Sequence, residues 1–220
     1  MKVLVIAPHP DDEIIGVGGT IAKRVAAGNE VYVCVVTKGV FPLFPEEQVQ
    51  QVREECNEAD AKLGVQKTIF LDFPASMLET VARYELNGKI IEVINEVHPD
   101  EVFIPHYGDM QLDHKMVADA AMVALRPRGN CYPKRVYAYE TLSETGWNIP
   151  NVVNEFIPTV YEDITETLEL KLKSMNVFQS QLAPFPSARS IEAIEALAKF
   201  RGATVSVNAA EAFSLIREVK

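Results

Sequence analysis

Cysteine is scarce: the 220 residues contain three, Cys34, Cys56 and Cys131. The number is odd, the spacing is wide and no CxxC pair occurs, which argues against a disulfide framework and against a thiolate zinc site. Cys34 lies in the apolar run Val-Tyr-Val-Cys-Val-Val and reads as a core residue. Long hydrophobic runs are missing as well. None approaches the ~20 residues that cross a bilayer. Met1-Lys2 leads through Val-Leu-Val-Ile-Ala into a charged segment, too short a stretch for the apolar part of a signal peptide. The expectation is a cytoplasmic chain with no membrane partner. Basic residues are outnumbered too, 21 Lys and Arg against 31 Asp and Glu, for a net charge of −10. Phosphate contacts draw on a Lys/Arg surplus, so the balance argues against nucleic acid as a partner.

What is present is an ordinary globular composition, 48% hydrophobic. The length predicts a single domain, residues 1–220, at the usual ~150 residues per domain with some excess. Short β-branched runs at 2–7, 30–37, 67–72, 101–105 and 135–140 alternate with helical patterns. Such near-continuous apolar strands are expected in a parallel sheet covered on both faces. The clearest helix starts at Pro45, carries Glu46 and Glu47 in its first turn and stops at Gly64. Its apolar positions Val49, Val52, Cys56, Ala59 and Leu63 should face the sheet. A second spans 112–125, with Leu112, Met116, Ala120 and Ala124 on one side. The fold class predicted is α/β, a Rossmann-like, doubly wound, mostly parallel sheet with right-handed crossovers. A core of about 1–142 is followed by a C-terminal elaboration, about 143–220. There a strand near 155–161 precedes a helix from about 164 to 181, with Lys171 and Lys173 at its negative end. Ala-Pro-Phe-Pro-Ser at 183–187 breaks it, and a helix around 190–201 follows.

Two segments carry chemistry. In open α/β sheets ligands bind beyond the carboxyl ends of the strands, at the switch in strand order. His9-Pro10-Asp11-Asp12-Glu13 stands immediately after the first strand. Its clustered carboxylates repel one another unless a cation or substrate is present, and a divalent metal removes that conflict. Imidazole with carboxylate suits Zn²⁺. The competing explanation is that the acids only charge the start of a helix beginning near Gly18. Gly16, Gly18 and Gly19 do not make a dinucleotide loop, because the carboxylates occupy the turn where pyrophosphate would lie; tight packing of helix on sheet is their expected use. Pro105-His106-Tyr107-Gly108-Asp109-Met110-Gln111-Leu112-Asp113-His114 follows the strand at 101–105. With strand order 3-2-1-4-5 the two segments meet, bringing His9 and Asp12 to His114. Three of the four histidines fall at these strand ends. The fourth, His98, precedes Pro99 and reads as a helix end.

Val-Ile-Ala-Pro-His-Pro-Asp-Asp-Glu followed by Gly-Gly-Thr-Ile-Ala resembles the amino-terminal signature of the LmbE-like (PIG-L) zinc-dependent N-deacetylases. Arg53-Glu54-Glu55 with Ala59 to Val65, Asp113-His114, Lys171 to Gln181, and Arg201-Gly202 with Ala210 to Phe213 are similar to later parts of the same pattern. The resemblance implies zinc held by His9, Asp12 and His114, with Fe²⁺ or Co²⁺ as other ions such a set accepts, and Asp11 as general base. Three protein ligands leave a position for water. Asp113 is the candidate to orient a zinc-bound imidazole. One departure stands out: where many relatives carry an oxyanion-stabilising His, three residues before the metal-binding one, this chain has Gln111. Either Gln111 substitutes, or His106 or Tyr107 does, or Gln111 is merely a polar helix-start residue. Arg53 is a candidate for a substrate hydroxyl or phosphate, or belongs to a solvated helix face. Asp109 binds a sugar hydroxyl or caps the following helix.

The function implied is removal of acetyl from a small N-acetylglucosamine-like sugar. The alternative is a zinc-dependent hydratase of an unsaturated acid on the same scaffold, and a third option is a metal-binding protein without turnover. Self-association is a further expectation carried by the resemblance.

Overall fold

The computed structural model describes all residues except 129–131, 151 and 153; Cys131 lies outside the described residues. The chain runs β1 (Lys2–Ala7), α1 (Asp12–Ala26), β2 (Glu30–Lys38), α2 (Glu46–Leu63), β3 (Lys67–Pro74), a 3-10 turn (Leu78–Thr80), α3 (Arg83–Val97), β4 (Glu101–Pro105), α4 (Leu112–Ala124), β5 (Arg135–Tyr139), β6 (Val160–Asp163), α5 (Leu168–Met175), α6 (Ile191–Ala203) and β7 (Ala210–Glu218). The strands form one sheet in the order β3-β2-β1-β4-β5-β7-β6. The first five are parallel, and β7 runs antiparallel to both β5 and β6.

Alternate residues of β1 feed opposite cores, as the two-residue period of a strand dictates. Val3 and Val5 join Ile14, Val17 and Ile21 of α1 and Cys56, Ala59 and Leu63 of α2 on one face. Leu4 and Ile6 join Ile90 and Val93 of α3 and Val117 and Ala121 of α4 on the other. Each such aliphatic side chain, taken from water to full burial, contributes roughly 1.5–3 kcal/mol. Cys34 is fully buried, and burial pushes its thiol up to about 12.

Several boundaries differ from the expectations, each for a tertiary reason. Helix α1 begins at Asp12, not near Gly18. Glycine inside a helix costs roughly 1 kcal/mol against alanine, but here a side chain would not fit: a Cβ on Gly16 would lie 2.3 Å from Tyr139 Cδ2, and one on Gly19 2.8 Å from Ile164. In α2 only Cys56, Ala59, Asp60 and Leu63 are buried; Val49 and Val52 line a cavity. In α4 the buried face is Asp113, His114, Val117, Ala118, Ala120 and Ala121, whereas Leu112 is exposed. That rotation turns His114 inward. His98 ends α3 with φ 53°.

The expected long helix at 164–181 is only α5, eight residues, and the strand sits at Val160–Asp163. Lys171 is not a solvated partner of the helix dipole. It is buried, donating to Ile15 O at 2.7 Å and pairing with Glu211 at 2.6 Å. Glu211 in turn accepts from the backbone N–H groups of Gly19 and Thr20. The C-terminal elaboration is thereby anchored to the helix whose first residue is Asp12.

Candidate metal centre

β1 is central and its neighbours are β2 and β4, so the loops leaving β1 and β4 open at the switch in strand order, where ligands bind in such sheets. The first loop turns sharply. Asp11 has φ 107°, a left-handed conformation that non-glycine residues seldom adopt. Its N–H donates to Glu13 Oε2 at 3.0 Å, and its carbonyl accepts from Ile14 and Ile15 as α1 starts. The second loop ends at Gln111, whose side-chain oxygen accepts from His114 N–H and caps α4.

His9, Asp12 and His114 thereby each offer one ligand atom, all within 4.8 Å of one another. The two imidazole rings lie 5.3 Å apart, centroid to centroid. His114 Nδ1 lies 2.8 Å from Asp109 Oδ2, which turns Nε2 toward Asp12 Oδ2 at 3.2 Å. His9 Nε2 lies 3.0 Å from Asp113 Oδ2, leaving Nδ1 toward Asp12 at 3.3 Å. Each imidazole so directs one nitrogen to a carboxylate and the other inward, as metal-bound histidines do. Asp12 Oδ1 and His114 Nε2 are buried without a hydrogen-bond partner among the described residues. Buried polar atoms are ordinarily satisfied, so this donor set fits a divalent ion.

The electrostatics agree. Burial alone would lower both imidazoles, yet Asp113 and Asp12 carry His9 up to about 9, and Asp12 and Asp109 carry His114 up to about 10. Burial disfavours the charge on Asp12, but His114 and His9 hold its carboxyl well below the ordinary range. Asp11 is pushed up to about 7 by burial, against the pull of Arg189. Its Oδ2 accepts from Arg189 at 3.0 Å; its Oδ1 has no hydrogen-bond partner among the described residues. Deeper still, Glu13, Cys56 and Asp60 form a second buried group. Burial, then the charge on Asp60, raises Glu13 well above the usual range, and burial raises Asp60 to about 7. With no cation among them, the cheap state for this trio is neutral.

A cavity of about 230 Å³ adjoins the ligand cluster, with His9, Asp11, Gln111, Phe44, Gln48 and Arg189 among its lining residues. Three sequence candidates are engaged by other groups of the protein. Asp109, expected to bind a sugar hydroxyl or cap the following helix, is fully buried with one oxygen at His114 and the other accepting from Thr145, and the cap of α4 is Gln111. Arg53 is committed to Asp72 at 2.8 Å and stacked on Phe70 at 4.1 Å. His106 Nε2 lies 3.1 Å from Asn154 O, with its ring edge-on to Phe156. Arg189 escaped the sequence reading: it stands 178 positions from Asp11, and no local pattern marks it.

An α/β sheet with a His-Asp-His cluster at its switch point, beside a cavity that a buried carboxylate lines, defines a class of scaffolds with a candidate metal site. Residues 4–125 match the PIG-L family of GlcNAc-PI de-N-acetylases, and the chain belongs to that family. Membership places it among N-deacetylases, hydrolases of amide C–N bonds. The chain is 28% identical over 191 residues to a diacetylchitobiose deacetylase of Thermococcus kodakarensis, covering 82% of this chain and 70% of that protein. Its structure is similar to that of the N,N'-diacetylchitobiose deacetylase of Pyrococcus horikoshii, with TM-score 0.79, 28% identity, and 98% and 84% of the two chains covered. The 4-carboxy-2-hydroxymuconate hydratase of Pseudomonas putida KT2440 shares the fold, with TM-score 0.81, 20% identity, and 100% and 97% coverage. Among the described residues no helix is long and apolar enough to cross a membrane.

Proposed function

We propose that this chain is a zinc-dependent hydrolase that removes the N-acetyl group from a small N-acetylglucosamine-like sugar. The observation that carries the reading is the convergence of His9, Asp12 and His114 within 4.8 Å beside a cavity that Asp11 also lines. His9, Asp12 and His114 would hold the ion. When bound, zinc supplies Lewis acidity to the amide carbonyl and acidifies water.

Asp11 takes a proton from the attacking water through Oδ1, its unpartnered oxygen. The water oxygen forms its bond to the acetyl carbon. As the C–N bond breaks, Asp11 returns the proton to the departing nitrogen, giving acetate and a free amine. A base matched to the operating pH does this best, and burial, which raises the Asp11 carboxyl above the ordinary range, acts in that direction. Asp113 and Asp109 keep the two imidazoles oriented. Gln111 lines the cavity whereas His106 Nε2 is engaged with Asn154 O, which favours Gln111 over His106 as the donor to the developing oxyanion. Phe44 offers an apolar face and Gln48 a polar group to the sugar.

The test is elemental analysis of protein purified without chelator, combined with acetate release from N-acetylglucosamine glycosides. Stoichiometric metal and acetate release are expected, with Asp11→Asn keeping the metal and losing turnover. Metal-free protein, or water addition to an unsaturated acid in place of acetate release, would overturn the reading.

A further inference from the structure

Arg189 lies outside the stretch that matches the family, residues 4–125, on the loop between α5 and α6. That loop is tied down on both sides. Ala183 N–H donates to Arg189 O at 3.1 Å, Arg189 N–H donates to Ser187 Oγ at 3.2 Å, and the next residue, Ser190, caps α6 through its side chain. The guanidinium reaches back to the first loop, where Nη1 donates to Asp11 Oδ2 at 3.0 Å and to Gln181 Oε1 at 2.9 Å. Nη2 stands 4.0 Å from Glu144 Oε1. Gln181 and Glu144 therefore hold a head group whose other close partner, among the described residues, is the carboxylate of Asp11.

Asp11 is fully buried, and only one of its oxygens is satisfied. A carboxylate on a single χ2 axis is free to rotate, and the two oxygens exchange unless one is pinned. From this geometry we infer that Arg189 is a positioning residue for Asp11: it pins Oδ2 and so presents Oδ1 to the water that attacks the substrate. The C-terminal elaboration thus completes a site whose metal ligands all come from the first 125 residues. Misplacing a reacting group by about 1 Å can cost on the order of 100-fold in rate. The partners that orient such groups are typically worth about 10- to 100-fold.

This inference rests on the deacetylase reading, and its test separates the two. Metal-loaded full-length protein is compared with R189A, R189K and Q181A for acetate release from an N-acetylglucosamine glycoside, for metal content and by crystallography. R189A is expected to lower kcat about 10- to 100-fold with KM changed less than about threefold and metal content intact. Methylguanidinium should restore part of its rate, and methylammonium should not. R189K and Q181A should show smaller losses of the same kind, and they carry the test if R189A does not fold. A wild-type kcat, a loss confined to KM, or a loss of metal would overturn the inference. If the unaltered protein releases no acetate at all, the deacetylase reading fails on its own. The variant crystal structures then decide: a carboxylate of Asp11 that stays in place overturns the positioning role, and one that turns away upholds it.

Discussion

Replacing Lys171 with methionine probes how the C-terminal elaboration holds the helix that carries the site. The side chain is 3% exposed and its partner Glu211 4%. K171M keeps most of the aliphatic volume that packs on Gly18 but removes the 2.7 Å bond to Ile15 O and the 2.6 Å ion pair. Glu211 is left charged and buried, with only the amides of Gly19 and Thr20 to serve it. Breaking one partner of a buried pair typically costs about 3–5 kcal/mol. In a chain of this length, where each kcal/mol moves Tm by about 2–4 °C, the melting point should fall by roughly 6–20 °C. Urea unfolding of metal-loaded protein measures it directly. The double variant K171M/E211Q should recover a substantial part, because the stranded charge is gone. A loss below about 1 kcal/mol, the value of an exposed pair, would refute the view that this lysine is structural.

Metal binding should be strongly coupled to protons. His9 and His114 are raised to about 9 and about 10 in the metal-free protein and must be neutral to ligate. Near pH 7 about two protons should be released per ion, with affinity climbing until pH 9–10, as measured by calorimetry in buffers of differing ionisation enthalpy. The same raised values stabilise the metal-free fold below pH 6.5, a contribution lost as pH rises through 9 to 10; apo melting curves across that window should fall accordingly. D109N, which weakens the hold on His114 Nδ1, should reduce metal affinity about 10- to 100-fold in a chelator competition. G16A forces a methyl into Tyr139 at 2.3 Å and should destabilise by about 1–3 kcal/mol in denaturant unfolding.

Much of the architecture was legible from the sequence because its signals were local. Apolar β-branched runs marked the five parallel strands, and Pro45 and Gly64 bracketed α2, observed over Glu46–Leu63. The order 3-2-1-4-5 placed His9, Asp12 and His114 together, and it is the order seen for those strands. What misled was local signal overruled by packing. The start of α1 was expected near Gly18 but lies at Asp12, whereas the close packing expected of Gly16, Gly18 and Gly19 is what is seen, with Tyr139, Lys171 and Ile164 filling the space where their side chains would be. The helix Arg83–Val97 went unnamed although Leu86, Ile90, Val93, Ile94 and Val97 keep helical spacing. β7 was missed because it is half-exposed along its second half and its strand pairing is entirely non-local. The pairing of carboxylates with imidazoles, Asp109 with His114 and Asp113 with His9, depends on side-chain direction around the start of α4. Spacing alone assigns no such partner.

Asp11 connects stability with function, and a glycine there tests the connection. Its φ of 107° is a conformation that costs a non-glycine residue on the order of 1–3 kcal/mol, and its carboxyl is buried with one oxygen unsatisfied. Neither feature serves the fold. Ile14 and Ile15 bond the backbone carbonyl of residue 11, and Glu13 bonds its N–H, so the turn survives without the side chain. Asp11→Gly therefore relieves both the backbone strain and the buried carboxyl while removing the proposed base. Arg189 loses a partner but is 29% exposed, so water and Gln181 can serve its cation. D11G should melt higher than D11N, which keeps the strained backbone, by an amount equivalent to about 1–2 kcal/mol. Both variants should bind metal and neither should release acetate. A D11G protein less stable than D11N would show that the side chain at residue 11 supports the turn, and that the strain is not held there for catalysis.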